Sequence, residues 1–269
     1  MLDTAALRSR LIRPGGFVTA LDVVEQTSST NEDLLIAARS GAGEGTVRVA
    51  EFQSAGRGRF DRVWTSPPRA GLTVSVLVRP DVVPRSRWGW LPLLTGLSVR
   101  AAVQATLPEP FAGHVRLKWP NDLLLAPDGR KVAGILVQAA SDAAVIGIGI
   151  NVDHAADELP SGQATSLRLA FADAAPSRSA LLVAVLSELE ERYTRWRAAE
   201  GDAETCGLHA QYQSGCDTLA RAVRVERGDG DLQGTATSID ASGSLVLETR
   251  DGSRTLSAGD VVHLRVDAR

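Results

Sequence analysis

Apolar and polar positions change rhythm along this chain, and the rhythm marks its elements. Residues 46–52 (TVRVAEF) and 72–78 (LTVSVLV) alternate with the two-residue period of a strand covered on one face. In the second run Leu72, Val74, Val76 and Val78 share that face. KVAGILVQA (131–139) and AAVIGIGINV (143–152) are apolar almost throughout, as doubly buried strands are, and a short Ser141–Asp142 turn joins them. HVRLKW (114–119), DLLLA (122–126) and the tight turn PDGR (127–130) add further strand–turn–strand connections. Such connections predict an α+β fold: a mixed, largely antiparallel sheet with helices packed on it.

Three segments read as helices. Residues 27–40 open with a Thr/Ser cluster suited to an N-cap, carry acidic residues in the first turn, and meet Gly41 as a stop. Residues 90–107 are apolar enough for a buried helix. Residues 178–197 place Leu182, Val185, Leu186, Leu189, Tyr193 and Trp196 at helical spacing, which predicts a core-facing stripe. A shorter helix is expected over 203–213. Beyond Leu219 the rhythm shortens. RAVRVER (221–227), LQGTATSID (232–240), SLVLETR (244–250) and VVHLRV (261–266) are separated by GDGD, DASG and RDGS turns. This predicts a small SH3-like β-barrel, with a boundary near Gly215 dividing a 1–214 domain from a 215–269 domain.

Composition narrows the function classes. The chain has 269 residues, 44% of them hydrophobic, enough for a substantial core. A net charge of −3 gives no general attraction to nucleic acid, so no nucleic-acid partner is expected. No apolar run is long enough to span a membrane, and the first residues lack the pattern of a signal peptide. Cys206 and Cys216 lie outside metal-type spacing, and a disulfide between them is the alternative to two free thiols. A reduced, cytoplasmic protein without a membrane partner fits these features.

Several short motifs carry candidate chemistry. In Lys118-Trp119-Pro120-Asn121-Asp122 a lone cation ends a strand before a turn, a fixed charge suited to a carboxylate or phosphate. Alone, it also suits a salt-bridged loop. Ala55-Gly56-Arg57-Gly58-Arg59 pairs glycines, which allow close approach, with arginines, which bind such anions bidentately. It matches neither a Walker A loop nor a dinucleotide fingerprint, and a flexible solvated loop is the plain alternative. Ser29-Thr30-Asn31 reads as an N-cap that also offers donors and acceptors to a polar ring. Lys131 starts a buried strand that contains Gly134, and Gly147-Ile148-Gly149-Ile150-Asn151 is a glycine-interrupted strand ending in an amide. A strand-edge lysine and a β-bulge are the plain alternatives. Trp64 follows the Gly/Arg loop, where a ring can stack on a base. The four histidines are scattered, and no nucleophile-elbow motif is present.

Together these motifs resemble the biotin–protein ligases, also called biotin–[acetyl-CoA-carboxylase] ligases. The matching strings are QTSSTNEDL (26–34), AEFQSAGRGR (50–59) with Trp64, LKWPNDLLL (117–125), RKVAGILVQ (130–138), GIGINV (147–152) and ATSL (164–167). The resemblance implies a catalytic domain like that of class II aminoacyl-tRNA synthetases, followed by an SH3-like barrel. It implies ATP as co-substrate with Mg2+, and biotin as substrate. Biotin is activated to biotinyl-5′-adenylate and transferred to a lysine of a biotin carboxyl carrier domain. By resemblance, Lys118 contacts the carboxylate and the reacting phosphate, and Arg57 and Arg59 order over the adenylate. Ser29, Thr30, Asn31, Gln53, Gly58 and Gly134 belong to the biotin side. Trp64, Asn121, Lys131 and Asn151 belong to the nucleotide side, with Trp64 covering the adenine. Asp122, with Asn121, is expected to hold Mg2+ or to help the incoming lysine lose its proton.

One position departs from the family pattern: Asp61 stands where the Gly/Arg loop commonly has glycine. A carboxylate there is expected to point away from the phosphates or to pair with Arg59 or Arg62. Only 28 residues precede Ser29, too few for the DNA-binding domain of some relatives, so a ligase without repressor function is expected. A lipoate- or octanoate-type ligase and a biotin-binding regulator without ligation are the competing readings.

Overall fold

The structure, a computed structural model, describes residues 1–109, 111–228 and 230–264. Its elements run α1 (Thr4–Leu11), β1 (Ala20–Val24), α2 (Thr30–Arg39), β2 (Thr46–Ala50), β3 (Gly71–Val78), α3 (Trp90–Thr106), β4 (Val115–Lys118), β5 (Asp122–Leu125), β6 (Arg130–Ala140) and β7 (Ala143–Asn151). There follow α4 (Leu167–Phe171), α5 (Arg178–Ala198) and α6 (Leu208–Gly215). The C-terminal part adds β8 (Ala222–Glu226), β9 (Leu232–Ile239), β10 (Leu245–Thr249), β11 (Gly252–Leu256) and β12 (Asp260–His263).

Seven strands form the large sheet in the order β1-β2-β3-β7-β6-β5-β4. Only β1–β2 is parallel; the other pairs are antiparallel. Strand periodicity gives the sheet two different faces. Leu72, Val74, Val76 and Val78 of β3 and Ile146, Ile148 and Ile150 of β7 enter one core with α3 and α5. The six residues at helical spacing on α5 are all buried there. On the opposite face, Leu77 and Val145 pack with Leu34 of α2. The glycines of β7, Gly147 and Gly149, fall on this second face, because they alternate with the isoleucines. A layer of helices therefore covers one side, and α2 covers only part of the other.

The five C-terminal strands form an antiparallel sheet in the order β11-β10-β9-β8-β12. The last strand pairs with the first, as an SH3-type arrangement requires. Val223, Val225, Ala236, Leu245 and Leu247 share the core of the large sheet, so the two sheets are packed as one body. Trp119, 1% exposed, is the brace between them. Its backbone N–H donates to Thr218 Oγ1 (3.0 Å) and its indole N–H to the Gly243 carbonyl (3.0 Å). Trp90 adds a parallel bond from its indole to the Ala241 carbonyl (2.9 Å).

Four features differ from the expectation. α1 has only Leu7 and Leu11 buried, too weak a stripe to read from pattern. β1 is a five-residue edge strand with one buried side chain, and β11 is exposed except at Leu256. The last helix begins at Leu208 rather than 203, because the Asp202 carboxylate accepts from the amides of Glu204 and Thr205 and holds a turn there. Of the strand expected over 261–266, residues 265 and 266 lie outside the described residues. No single helix among the described residues is long and apolar enough to cross a membrane. Cys206 and Cys216 are free thiols.

Candidate active site

A cleft of about 1410 Å3 opens on the uncovered face of the large sheet and reaches the small one. Its floor is glycine because nothing larger fits. A Cβ on Gly149 would come within 2.4 Å of the Trp64 indole, and one on Gly147 within 2.2 Å of Asn31 Oδ1. A Cβ on Gly134 would meet the same indole at 3.1 Å and Lys131 Nζ at 3.2 Å. The indole thus rests on the glycine floor, its N–H buried without a partner and its ring centroid 5.8 Å from the Lys131 ammonium.

At one end the start of α2 supplies polar groups. Ser29 holds the N-cap position but its hydroxyl makes no capping bond, so the expected side-chain cap is absent. That buried hydroxyl therefore lines the cleft without being tied to the helix. Thr30 donates from both its backbone N–H (2.8 Å) and its hydroxyl (3.0 Å) to Gln53 Oε1, which fixes the Gln53 amide beside the helix start. Asn31 is more firmly held. Its amide donates to the Leu136 carbonyl (3.2 Å) and Gln138 Oε1 (2.8 Å), and its oxygen accepts from the Ser75 hydroxyl (2.6 Å). Ser75 and Gln138 escaped the sequence reading, since polar residues on an apolar strand gave no sign of facing this helix.

The middle of the cleft is cationic. Lys118 ends β4, half-buried, and has no ion-pair partner among the described residues. His263 of β12 lies close enough to feel it. Burial first, then the Lys118 ammonium and Arg221, push the imidazole down to about 4, so it is neutral at pH 7. Thr218 Oγ1 lies 3.2 Å from His263 Nε2. Asn121 Nδ2 donates to the Ile135 carbonyl (3.0 Å), and its oxygen accepts from Arg59 Nη1 (3.1 Å). Asp122 Oδ1 forms an ion pair with Lys131 Nζ at 2.6 Å. Asn151, buried, donates to the Thr165 carbonyl (3.0 Å), while the backbone of Lys131 bonds to that of Gln163 and Thr165. The ATSL segment is thereby laid along the start of β6.

The Gly/Arg loop arches over this cleft as a small hairpin. Gly58 N–H donates to the Arg62 carbonyl (2.6 Å), Arg62 N–H to the Arg59 carbonyl (3.2 Å), and Arg57 bridges Val63. Phe60 and Asp61 form its tip with φ of 53° and 57°. Asp61 therefore adopts the left-handed backbone that glycine favours and aspartate tolerates. Its side chain is exposed, and Arg62 pairs with Asp260 rather than with it. Arg57 is exposed, 3.9 Å from Glu32, whereas Arg59 is turned inward.

All the candidate residues thus line one cavity, Arg57 at its exposed rim. Nothing in the sequence marks Asp260 and His263 of the small sheet as reaching it too, because a hairpin pattern carries no information about docking. The donor set suits two anions brought together over a flat apolar floor. Among the described residues no three His, Cys, Asp or Glu side chains gather to hold a metal ion. Asp122 is paired with Lys131 and, after Asp260, is the second carboxylate acting on Arg59, with the Asn121 amide oxygen bonded to Arg59 beside it. This set fits a Mg2+ ion that takes most of its ligands from phosphates and water.

Comparison with known proteins agrees with this geometry. Residues 23–153 match the Biotin/lipoate A/B protein ligase family, and residues 218–264 match the Biotin protein ligase C terminal domain. The chain is 44% identical over 98% of its length, and 96% of the other's, to a biotin–[acetyl-CoA-carboxylase] ligase of Mycobacterium tuberculosis. It is 36% identical to the bifunctional ligase/repressor BirA of Escherichia coli, over 88% of this chain and 71% of that one. Among solved structures, the biotin protein ligase of Aquifex aeolicus in complex with biotin and ATP superposes with a TM-score of 0.75. The two are 27% identical over 92% of this chain and all of that one.

Proposed function

The chain belongs to the biotin/lipoate protein ligase family, and from that premise we propose that its cleft activates biotin with ATP and passes it to a carrier lysine. It is an ATP-dependent biotin–protein ligase of the biotin–[acetyl-CoA-carboxylase] type. The observation that carries the reading is Lys118: a half-buried, unpaired ammonium at the centre of a cleft with a glycine floor.

The chemistry follows from charge. In the first step the biotin carboxylate attacks the α-phosphate of ATP, giving biotinyl-5′-adenylate and pyrophosphate. Two anions must approach, and negative charge on the phosphoryl oxygens persists through the transition state. Lys118 supplies fixed positive charge where they meet, with no counter-ion to displace. Ser29, Thr30 and Gln53 bind the polar ring of biotin, while Gly134, Gly147 and Gly149 make room for the Trp64 indole and Asn31 that wall the cleft. Asn31 sets the wall behind them. Trp64 sits over the floor beside Lys131, where its face covers the bound ring system, and Lys131 and Asn151 bound the nucleotide side. Arg57, Gly58 and Arg59 close over the adenylate. Mg2+, held by Asp122 with Asn121, would neutralise the phosphates. In the second step a carrier lysine attacks the acyl carbon and AMP leaves. The alternative task for Asp122, in place of holding Mg2+, is to take the proton when that amine, with an ordinary pKa of about 10.4, is deprotonated.

The partner is a biotin carboxyl carrier domain of a biotin-dependent carboxylase. The activity is cytoplasmic, and the net charge of −3 gives no reason to add a nucleic acid or a membrane. The division into a catalytic and a C-terminal domain falls near Gly215, where α6 ends. The test is a competition. Purified protein with ATP and a carrier domain should raise the carrier's mass by one biotin, and excess lipoate should not suppress it. Transfer of lipoate in preference to biotin would assign the chain to the lipoate branch. Tight biotin binding with neither adenylate nor transfer would make it a biotin sensor.

A further inference from the structure

We propose that Asp260 of the small sheet is a positioning residue: by pairing with Arg62 it sets Arg59, and so makes the C-terminal sheet part of the device that retains the adenylate. The proposal rests on the biotin-activation reading for its chemical consequence, but not for its geometry.

Three contacts carry it. Arg62 forms an ion pair with Asp260, whose side chain is only 20% exposed. Arg59 Nη1 donates to the carbonyl of Gly259, the residue before it, at 3.2 Å. The same nitrogen donates to Asn121 Oδ1 at 3.1 Å, next to the Asp122–Lys131 pair. Gly259 and Asp260, where β12 begins, therefore hold two of the loop's three arginines, Arg62 by a side chain and Arg59 by a backbone oxygen. The hairpin couples them: Gly58 and Arg62, and Arg62 and Arg59, are joined by backbone bonds, so moving Arg62 moves Arg59.

The turn before β12 is itself closely packed. Gly259 has φ of 153°, and a Cβ there would lie 2.3 Å from Val225 of β8, so its carbonyl direction is set by packing. The loop, by contrast, has two non-glycine residues with positive φ at an exposed tip, which costs free energy unless outside contacts hold it. The small sheet supplies two of those contacts, beside the one from Asn121. Such a link explains why the cleft lining extends to Asp260 and Val262, more than 200 residues from the Gly/Arg loop in sequence. An exposed arginine in an isolated ion pair contributes little, so the inference is about placement rather than global stability.

Two measurements test it. In the ligand-free protein, amide hydrogen exchange over residues 56–64 should rise roughly five-fold in Asp260→Ala, with the thermal midpoint nearly unchanged. In the working enzyme, escape of biotinyl-adenylate, read as labelling of a bystander protein's lysines, should rise by a similar factor. The reversed pair Arg62→Asp with Asp260→Arg should bring exchange back to within about two-fold of the parent, whereas Asp260→Arg alone should not. Unchanged loop exchange in Asp260→Ala, or a reversed pair no better than Asp260→Arg, would overturn the latch. If the parent protein makes no adenylate at all, the biotin-activation reading fails, and the exchange measurement still decides the latch.

Discussion

The glycines of the cleft floor show how much one missing methyl group can decide. Gly147 faces Asn31, which three hydrogen bonds already pin to Leu136, Gln138 and Ser75. Gly147→Ala would drive a Cβ to 2.2 Å from Asn31 Oδ1, so either the start of α2 shifts or those bonds break. The variant should lose about 1–3 kcal/mol of stability and bind biotin more weakly, as thermal unfolding and calorimetry would measure. An unshifted midpoint would mean that Asn31 is free to turn away. At this scale the sequence was most legible. A cation at a strand end, two arginines between glycines and an amide after a glycine-rich strand each announce a chemical task. It was silent about Ser75 and Gln138, whose positions become meaningful only once α2 is laid across β3, β7 and β6. It also hid the missing cap at Ser29: the residue type is that of a cap, but Thr30 turns to Gln53 and leaves the Ser29 hydroxyl free.

Elements place these residues. β7 alternates isoleucine and glycine, so one strand contributes core on one face and, on the other, room for the Trp64 indole and Asn31 that wall the cleft. The KWPND turn has a similar double task. Lys118 and Asn121 look into the cleft, while Trp119 is driven into the seam between the sheets. Trp119→Phe keeps most of the apolar volume but removes the N–H that satisfies the buried Gly243 carbonyl. A loss of about 1–3 kcal/mol is expected in urea denaturation, together with weaker ATP binding because Lys118 and Asn121 flank the displaced ring. Equal stability of the two proteins would show that the indole N–H is not needed in the seam. The long strands and helices were readable from period alone: β3, β6, β7, α3 and α5 follow from it. α1, β1 and β11 were not, because each buries too few side chains for a pattern to emerge.

The whole molecule adds what neither residue nor element contains, namely the docking of the small sheet against the cleft. That docking buries His263 beside Lys118 and Arg221 and depresses its pKa to about 4. An unfolded histidine titrates near 6.5, so between about pH 6.5 and 4 the unfolded chain binds more protons than the native one. Stability should therefore be fully present above about pH 6.5 and fall as the pH drops through that window. His154, buried and likewise depressed, adds to the same trend. Urea midpoints measured from pH 7.5 to 4.5 should decline, and the decline should be shallower in His263→Gln; identical slopes would remove His263 from the account. In Lys118→Ala the His263 titration followed by NMR should move upward, because one of the charges opposing its protonation is gone.

The central claim is that Lys118 neutralises charge where biotin's carboxylate meets the α-phosphate. It is tested most directly by pyrophosphate release from ATP, with and without biotin, in the parent protein and in Lys118→Ala. The parent should release pyrophosphate only when biotin is present, and the variant should do so slower by roughly two to four orders of magnitude. Release independent of biotin, or a variant nearly as fast as the parent, would contradict it.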